Sequence, residues 1–113
     1  MVLVVRGELR LTAGKAAVQV AHAAVMLVEA SRKRQAGALE AWFAEGQRKI
    51  AVVAPTLEEM DRLYRLARAK GLPAVLVEDA GFTEVPAGTK TVLGIGPGKT
   101  EEIDPITGGL PLL

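Results

Sequence analysis

KIAVVAPTLEEMDRLYRLARAKGLPAVLV, residues 49–77, decides the fold. Lys49–Ala54 is an apolar, partly β-branched run and reads as a strand. Pro55-Thr56-Leu57-Glu58-Glu59 then reads as a helix start, with Thr56 as N-cap and Glu59 as its capping-box partner. The helix sets Met60, Leu63, Ala67 and either Leu66 or Tyr64 on one face. It ends at Gly71, with Pro73 just beyond. Ala74–Val77 is a second apolar run, closed by the turn Glu78-Asp79-Ala80-Gly81. Strand, helix and strand at this spacing make one α/β unit.

The rest of the chain extends the pattern. Val2–Val5 reads as a strand buried on both faces. Gly7–Gly14 is a loop. A helix rich in Ala and free of Gly and Pro runs from about Lys15 to Gln35, with Thr12 or Ala13 near its start and Gly37 closing it. A short helix follows at Leu39–Ala44, carrying Trp42 and Phe43. Thr91–Ile95 is the last strand, closed by Gly96-Pro97-Gly98. Thr100 is a candidate cap for a last short helix before Pro105. The alternation predicts a layered α/β domain with a mostly parallel sheet covered on both sides. GIGPG at 94–98 lacks the spacing of a nucleotide loop and reads as a strand ending in a turn.

The 113 residues are one domain's worth, and half are hydrophobic, enough for a core. A domain this small leaves much surface exposed, so part of its apolar content suits a second copy of the chain. Net charge is +1, which does not suggest a bulk nucleic-acid binder. Its distribution is uneven: residues 1–50 carry eight Lys/Arg against four Asp/Glu, and residues 51–113 six against nine. Either a basic face in the first half attracts phosphates, or the charges are solvated helix faces. With no cysteine there are no disulfides or thiolate metal sites, and one histidine is too few for a His-based zinc site. MVLVVRGELR lacks the order of a signal peptide, and the longest apolar stretch, Ala16–Val28, is too short to span a bilayer. A cytoplasmic protein is expected.

On the first helix, at about 100° per residue, Lys15, Gln19 and His22 share one narrow stripe. The rest of Ala16–Val28 is Ala, Val, Met or Leu, so the helix is expected to be buried nearly all round. A stripe kept polar in such a helix faces a ligand; the alternative for His22 is a core histidine satisfied by a carbonyl. Lys15 follows Gly14 at the helix entrance, where free N–H groups and the dipole favour an anion and a lysine adds a full charge. A phosphate fits there; a solvated lysine is the other reading. Asp79, at the end of the third strand and followed by Ala80-Gly81-Phe82-Thr83, is either a general base or orienting group, or a cap for its own turn.

These segments resemble the archaeal and eukaryotic-type peptidyl-tRNA hydrolases. The matching pieces are VLVVR (2–6), GKAAVQVAHAAV (14–25), WFAEGQRK (42–49), GLPAVLVEDAGFTEVPAGTKTVLGIGP (71–97) and DPITGGLPLL (104–113), essentially the whole chain. The resemblance implies a three-layer domain over residues 1–113, a mixed four-stranded sheet with helices on both faces, and usually a homodimer. It implies hydrolysis of the ester between a peptide and the tRNA 3′ ribose, with no metal or organic cofactor. It also implies a site built from Lys15, His22, Asp79 and Thr91. One departure stands out: the family usually reads Lys-Gly-Lys at the helix entrance, and this chain has Ala13-Gly14-Lys15. Glu8, where the family often has Asp, is a milder one.

Ester hydrolysis needs an activated water and a stabilised oxyanion. The expected assignment has His22, Asp79 and Thr91 as catalytic residues and Gly14, Lys15, Gln19 and Thr83 as substrate-binding ones. Asp79, directly or through His22, orients and deprotonates the water. Thr91 and the N–H groups near Ala80 and Gly81 hold the carbonyl, while Lys15 and Gln19 hold the terminal phosphate or ribose. No Ser-His-Asp set is available, so water attacks directly. The competing classes are a non-catalytic RNA- or protein-binding relative and a small-molecule esterase on the same scaffold.

Overall fold

The computed structural model describes residues 1–82 and 84–113. Thr83, expected to contact substrate, lies outside the described residues. The elements are β1 (Val2–Arg6), a 3-10 turn (Gly7–Leu9), α1 (Ala13–Arg34), α2 (Ala36–Ala44), β2 (Ile50–Ala54), α3 (Leu57–Ala69), β3 (Ala74–Glu78), β4 (Lys90–Ile95) and α4 (Thr100–Thr107). The sheet order is β2-β1-β4-β3. The apolar β1 side chains pack on both layers: Leu3 and Val5 under α1 and α2, Val2 and Val4 with Met60 and Leu63 of α3 and Ile103 and Ile106 of α4.

The sheet is mixed, as the resemblance implied, and not mostly parallel. Among the described residues only β1 and β2 pair in parallel; β4 runs antiparallel between β1 and β3. The reason is the connection. A parallel neighbour needs a crossover, usually a helix, and the described residues of 79–89 hold no helix, so the chain turns back. Local signals were otherwise close. Thr12 caps α1, its hydroxyl accepting from Lys15 N at 3.3 Å, and Thr56 caps α3, accepting from Glu59 N at 3.2 Å. The reciprocal half of the capping box is absent: Glu59 bonds Arg62, and Glu8 Oε2 takes the Leu57 N–H at 2.7 Å.

Three boundaries differ from expectation. Gly37 lies inside α2, and α1 ends at Arg34 because Gln35 leaves helical geometry at φ −141. Thr100 is the first residue of α4, after Lys99 as N-cap, and α4 continues through Pro105. The larger correction concerns α1. It is buried on one face only, through Ala16, Gln19, Ala23, Leu27 and Ser31. Val18, Val25 and Met26 lie exposed on the other, because a helix on the outer layer of a sheet has nothing beyond it in the same chain.

Among the described residues, no helix is long and apolar enough to cross a membrane.

Candidate active site

The C-terminal ends of β1, β2 and β3, the start of β4 and the start of α1 meet at one end of the sheet. There β4 departs from regular pairing. Val77 lies opposite Val92 and Glu78 opposite Lys90, so Thr91 is an extra residue on β4. Such a bulge re-aims side chains. Regular alternation from Leu93 and Ile95, which pack on the α3 side, gives Val92 to the α1 side and returns Thr91 to α3. The bulge turns Thr91 towards α1 instead, where its hydroxyl accepts from Gln19 Nε2 at 2.8 Å.

Gln19 serves a second partner. Its Nε2 also donates to Asp79 Oδ2 at 3.2 Å. A carboxylate only accepts, so the amide nitrogen must face it. With that hydrogen fixed, the Thr91 hydroxyl must accept from Gln19, and it donates to Val77 O at 3.4 Å. Lys15 Nζ meets Asp79 Oδ2 at 2.5 Å, and Gly81 N donates to Asp79 Oδ1 at 2.6 Å. Both oxygens of Asp79 are therefore engaged. The Gly81 turn is possible only for glycine: φ is +83, and a Cβ there would come within 2.6 Å of Ala87 N.

Charge follows from this geometry. The hydrogen bond from Lys15, then the Gly81 N–H, holds the Asp79 carboxyl below its ordinary range; burial opposes this, and the charges of Lys15 and His22 add to the lowering. Asp79 is a carboxylate at neutral pH. A carboxylate this well satisfied is a weak proton acceptor, because a general base works best with its pKa near the working pH.

The expected stripe on α1 divides. The edge of the buried face passes along it: Gln19 is 2% exposed, the Lys15 side chain is mostly buried at 15% exposed, and His22 is exposed. Gln19 and Thr91, both expected to meet substrate, are buried: Gln19 bonds Asp79 directly, and Thr91 is linked to Asp79 through Gln19. Gly14 is exposed beside Lys15, with open space around its Cα.

Glu84 escaped the sequence reading. Its carboxylate takes Thr12 N at 3.0 Å and Thr12 Oγ1 at 2.5 Å, which ties the β3–β4 connection to the entrance of α1. Those two bonds, hydroxyl first, also hold its carboxyl below the ordinary value. The only available signal was a carboxylate near the helix-entrance segment in space, which a linear reading does not contain.

A cavity of about 650 Å³ opens at the other end of the sheet, lined by Met1, Trp42, Arg48 and Pro97 among others. It contains none of the network just described. The convergent polar groups, rather than the volume, mark the candidate site.

The comparisons with known proteins agree with the resemblance. The family model described as peptidyl-tRNA hydrolase PTH2 matches residues 1–113. The chain is 51% identical to a peptidyl-tRNA hydrolase of Methanopyrus kandleri over 113 residues, covering 99% of this chain and 96% of that one. It is 45% identical over 113 residues to the peptidyl-tRNA hydrolase of Staphylothermus marinus, covering 99% and 93%. To the mitochondrial peptidyl-tRNA hydrolase 2 of Mus musculus it is 43% identical over 112 residues, covering 99% of this chain and 62% of that one. With its mixed sheet and the converging Lys15, Gln19, Asp79 and Thr91, this chain belongs to the PTH2 family of peptidyl-tRNA hydrolases.

Proposed function

We propose that the chain hydrolyses the ester joining peptide to tRNA, returning free tRNA to translation, and that it does so at the Lys15–Asp79 site. The observation that carries the site assignment is the 2.5 Å pair between Lys15 Nζ and Asp79 Oδ2, held from below by Gln19. A mostly buried lysine that keeps an exposed edge beside a buried carboxylate, at a helix entrance, suits a substrate that is an anion next to an ester.

In this reading Lys15 and the exposed Gly14 backbone receive the 3′-terminal phosphate or ribose. Asp79 fixes Lys15 and the Gly81 turn, so that the charge facing the substrate is set before it arrives. Water attacks the ester carbonyl. As the new C–O bond forms, the water's proton goes to His22 rather than to the saturated Asp79 carboxylate; as the ester C–O bond breaks, the ribose oxygen leaves and takes up that proton as a hydroxyl. Gln19 and Thr91 act from beneath as positioning residues.

The same reading includes tRNA as bound partner, a cytoplasmic place in translation and a homodimer. Support for the homodimer is the outer face of α1 and α2. Val25 is 63% exposed and Phe43 40%, flanking an apolar groove completed by Ala24 and Val28. A continuous apolar patch on a small domain marks an interaction surface. Release of N-acetyl-aminoacyl residues from tRNA by the purified protein tests the activity. Tight tRNA binding without release would favour a non-catalytic relative instead.

A further inference from the structure

Four aromatic side chains are present, and three have partners: Trp42 and Phe43 pack at 5.2 Å with Lys49 over Trp42, and Arg68 lies over Tyr64. Phe82 is 90% exposed, the most exposed large apolar side chain among the described residues. A lone exposed apolar residue is ordinary. The anchoring around this one is not. Immediately before it, Gly81 N is bonded to Asp79 Oδ1 at 2.6 Å in a turn only glycine can make. Two residues after it, Glu84 is bonded twice to Thr12. Consecutive Cα atoms are about 3.8 Å apart, so Phe82 Cα lies within about 8 Å of both anchor residues. Both anchors end on Lys15, since Asp79 pairs with its Nζ and Thr12 Oγ1 accepts its N–H. The chain is thus bonded at Gly81, on Asp79, and again at Glu84, on Thr12, and the Phe82 ring that follows Gly81 is left in water.

We propose that Phe82 is the stacking platform for the base of the tRNA's 3′-terminal nucleotide. This rests on the reading of Lys15–Asp79 as the hydrolytic site. The ester is carried by the ribose of that nucleotide, so an ester at the site brings its own base alongside. The peptide varies between substrate molecules, whereas every base presents a π-face that an aromatic ring accepts. An aromatic side chain, with only two side-chain angles to fix, also loses little freedom on binding.

The test is a cycle of variant against substrate. Measure kcat/KM for wild type, Phe82→Ala and Phe82→Tyr on N-acetyl-aminoacyl-tRNA, and on the same tRNA lacking only its 3′-terminal base. Wild type is expected to lose about tenfold on base removal, the size of one base–aromatic stack. Phe82→Ala loses a similar factor on the intact substrate and nothing further on the abasic one; Phe82→Tyr follows wild type. Thermal unfolding of Phe82→Ala matches wild type, because the ring buries almost nothing. The proposal is overturned if wild type is indifferent to base removal. It is also overturned if Phe82→Ala keeps full activity, or if base removal costs that variant as much as wild type. A Phe82→Ala loss that tracks the size of the aminoacyl side chain assigns the ring to the peptide and overturns it too. Asp79→Asn is assayed alongside. Full hydrolysis by that variant removes the site itself, while an inactive Asp79→Asn with a fully active Phe82→Ala removes only the platform.

Discussion

Gln19 Nε2 donates to Thr91 Oγ1 over 2.8 Å because the bulge on β4 turns Thr91 towards α1. The same amide holds Asp79 Oδ2 at 3.2 Å, so a buried glutamine links the bulge to the carboxylate that meets Lys15. Thr91→Val keeps the shape and removes the hydroxyl. It leaves Gln19 without its nearer acceptor inside the protein. The expected stability cost is about 1–3 kcal/mol, read as a fall in Tm. Because Thr91 is fully buried, substrate binding is untouched: kcat falls by about ten- to a hundredfold while KM stays within twofold. A rise in KM with unchanged kcat would place Thr91 in direct contact with substrate.

Asp79→Asn removes the charge that Lys15 answers and keeps an oxygen for the Gly81 N–H. Single-turnover release from N-acetyl-aminoacyl-tRNA is expected to fall by about 10²–10³-fold, the range for loss of a preorganised electrostatic contact. tRNA binding should persist or tighten, since one negative charge beside the phosphate site is gone. Weakened tRNA binding together with normal chemistry would reverse the assigned roles.

The pH dependence follows from the lowered Asp79 pKa. In the unfolded chain the group titrates near its ordinary value of 3.8, and in the folded protein lower. Its contribution to stability is therefore complete above that value and is lost as pH falls through the folded one. The difference in unfolding free energy between wild type and Asp79→Asn should be flat at neutral pH and shrink below pH 3.8. Any acid limb of kcat/KM at higher pH belongs to another group. His22→Gln should lower kcat at every pH, and full activity in this variant excludes His22 as the proton acceptor.

The elements were legible because their signals are local: the β-branched runs of β1 and β2, the Thr12 and Thr56 caps, and the apolar spacing of Met60, Leu63 and Ala67. The position of β4 between β1 and β3 was not, since it depends on which strand accepts a returning chain. The stripe on α1 was legible as a stripe. Its division was not: Gln19 and His22 differ by only about 60° around the helix, and the edge of the sheet runs between them. Thr91 was singled out by resemblance alone. Alternation assigns it to the opposite face, and a bulge leaves no mark in composition. Glu84 was missed because its partner, Thr12, is distant along the chain and neither residue is unusual in its own neighbourhood.

Val25 tests the proposed homodimer. It is 63% exposed on the outer face of α1, so Val25→Glu removes no intrachain packing and should leave Tm of a monomer unchanged. In a dimer the same substitution places an unpaired charge in an apolar interface, and sedimentation equilibrium should show the mass halved. A wild-type protein that already sediments as a monomer at micromolar concentration would remove the homodimer from the reading.

Ala13→Lys turns the Ala13-Gly14-Lys15 entrance into the Lys-Gly-Lys that the family resemblance leads one to expect. Ala13 is the first residue of α1 and is exposed. A cation at a helix N-terminus is unfavourable by about 0.3–1 kcal/mol. Here the Glu84 carboxylate on Thr12 lies next to it and offsets part of that cost. Thermal stability should therefore change little. The gain is in substrate capture: one further lysine beside Lys15 adds one phosphate contact to the 3′ end. The logarithm of tRNA affinity against the logarithm of salt concentration should steepen by about 0.7. In Glu84→Gln the helix-entrance cost is no longer offset, so Ala13→Lys should lower Tm more there than in wild type. An unchanged salt slope for Ala13→Lys would mean that the tRNA phosphates do not approach the entrance of α1, and that Lys15 serves Asp79 alone.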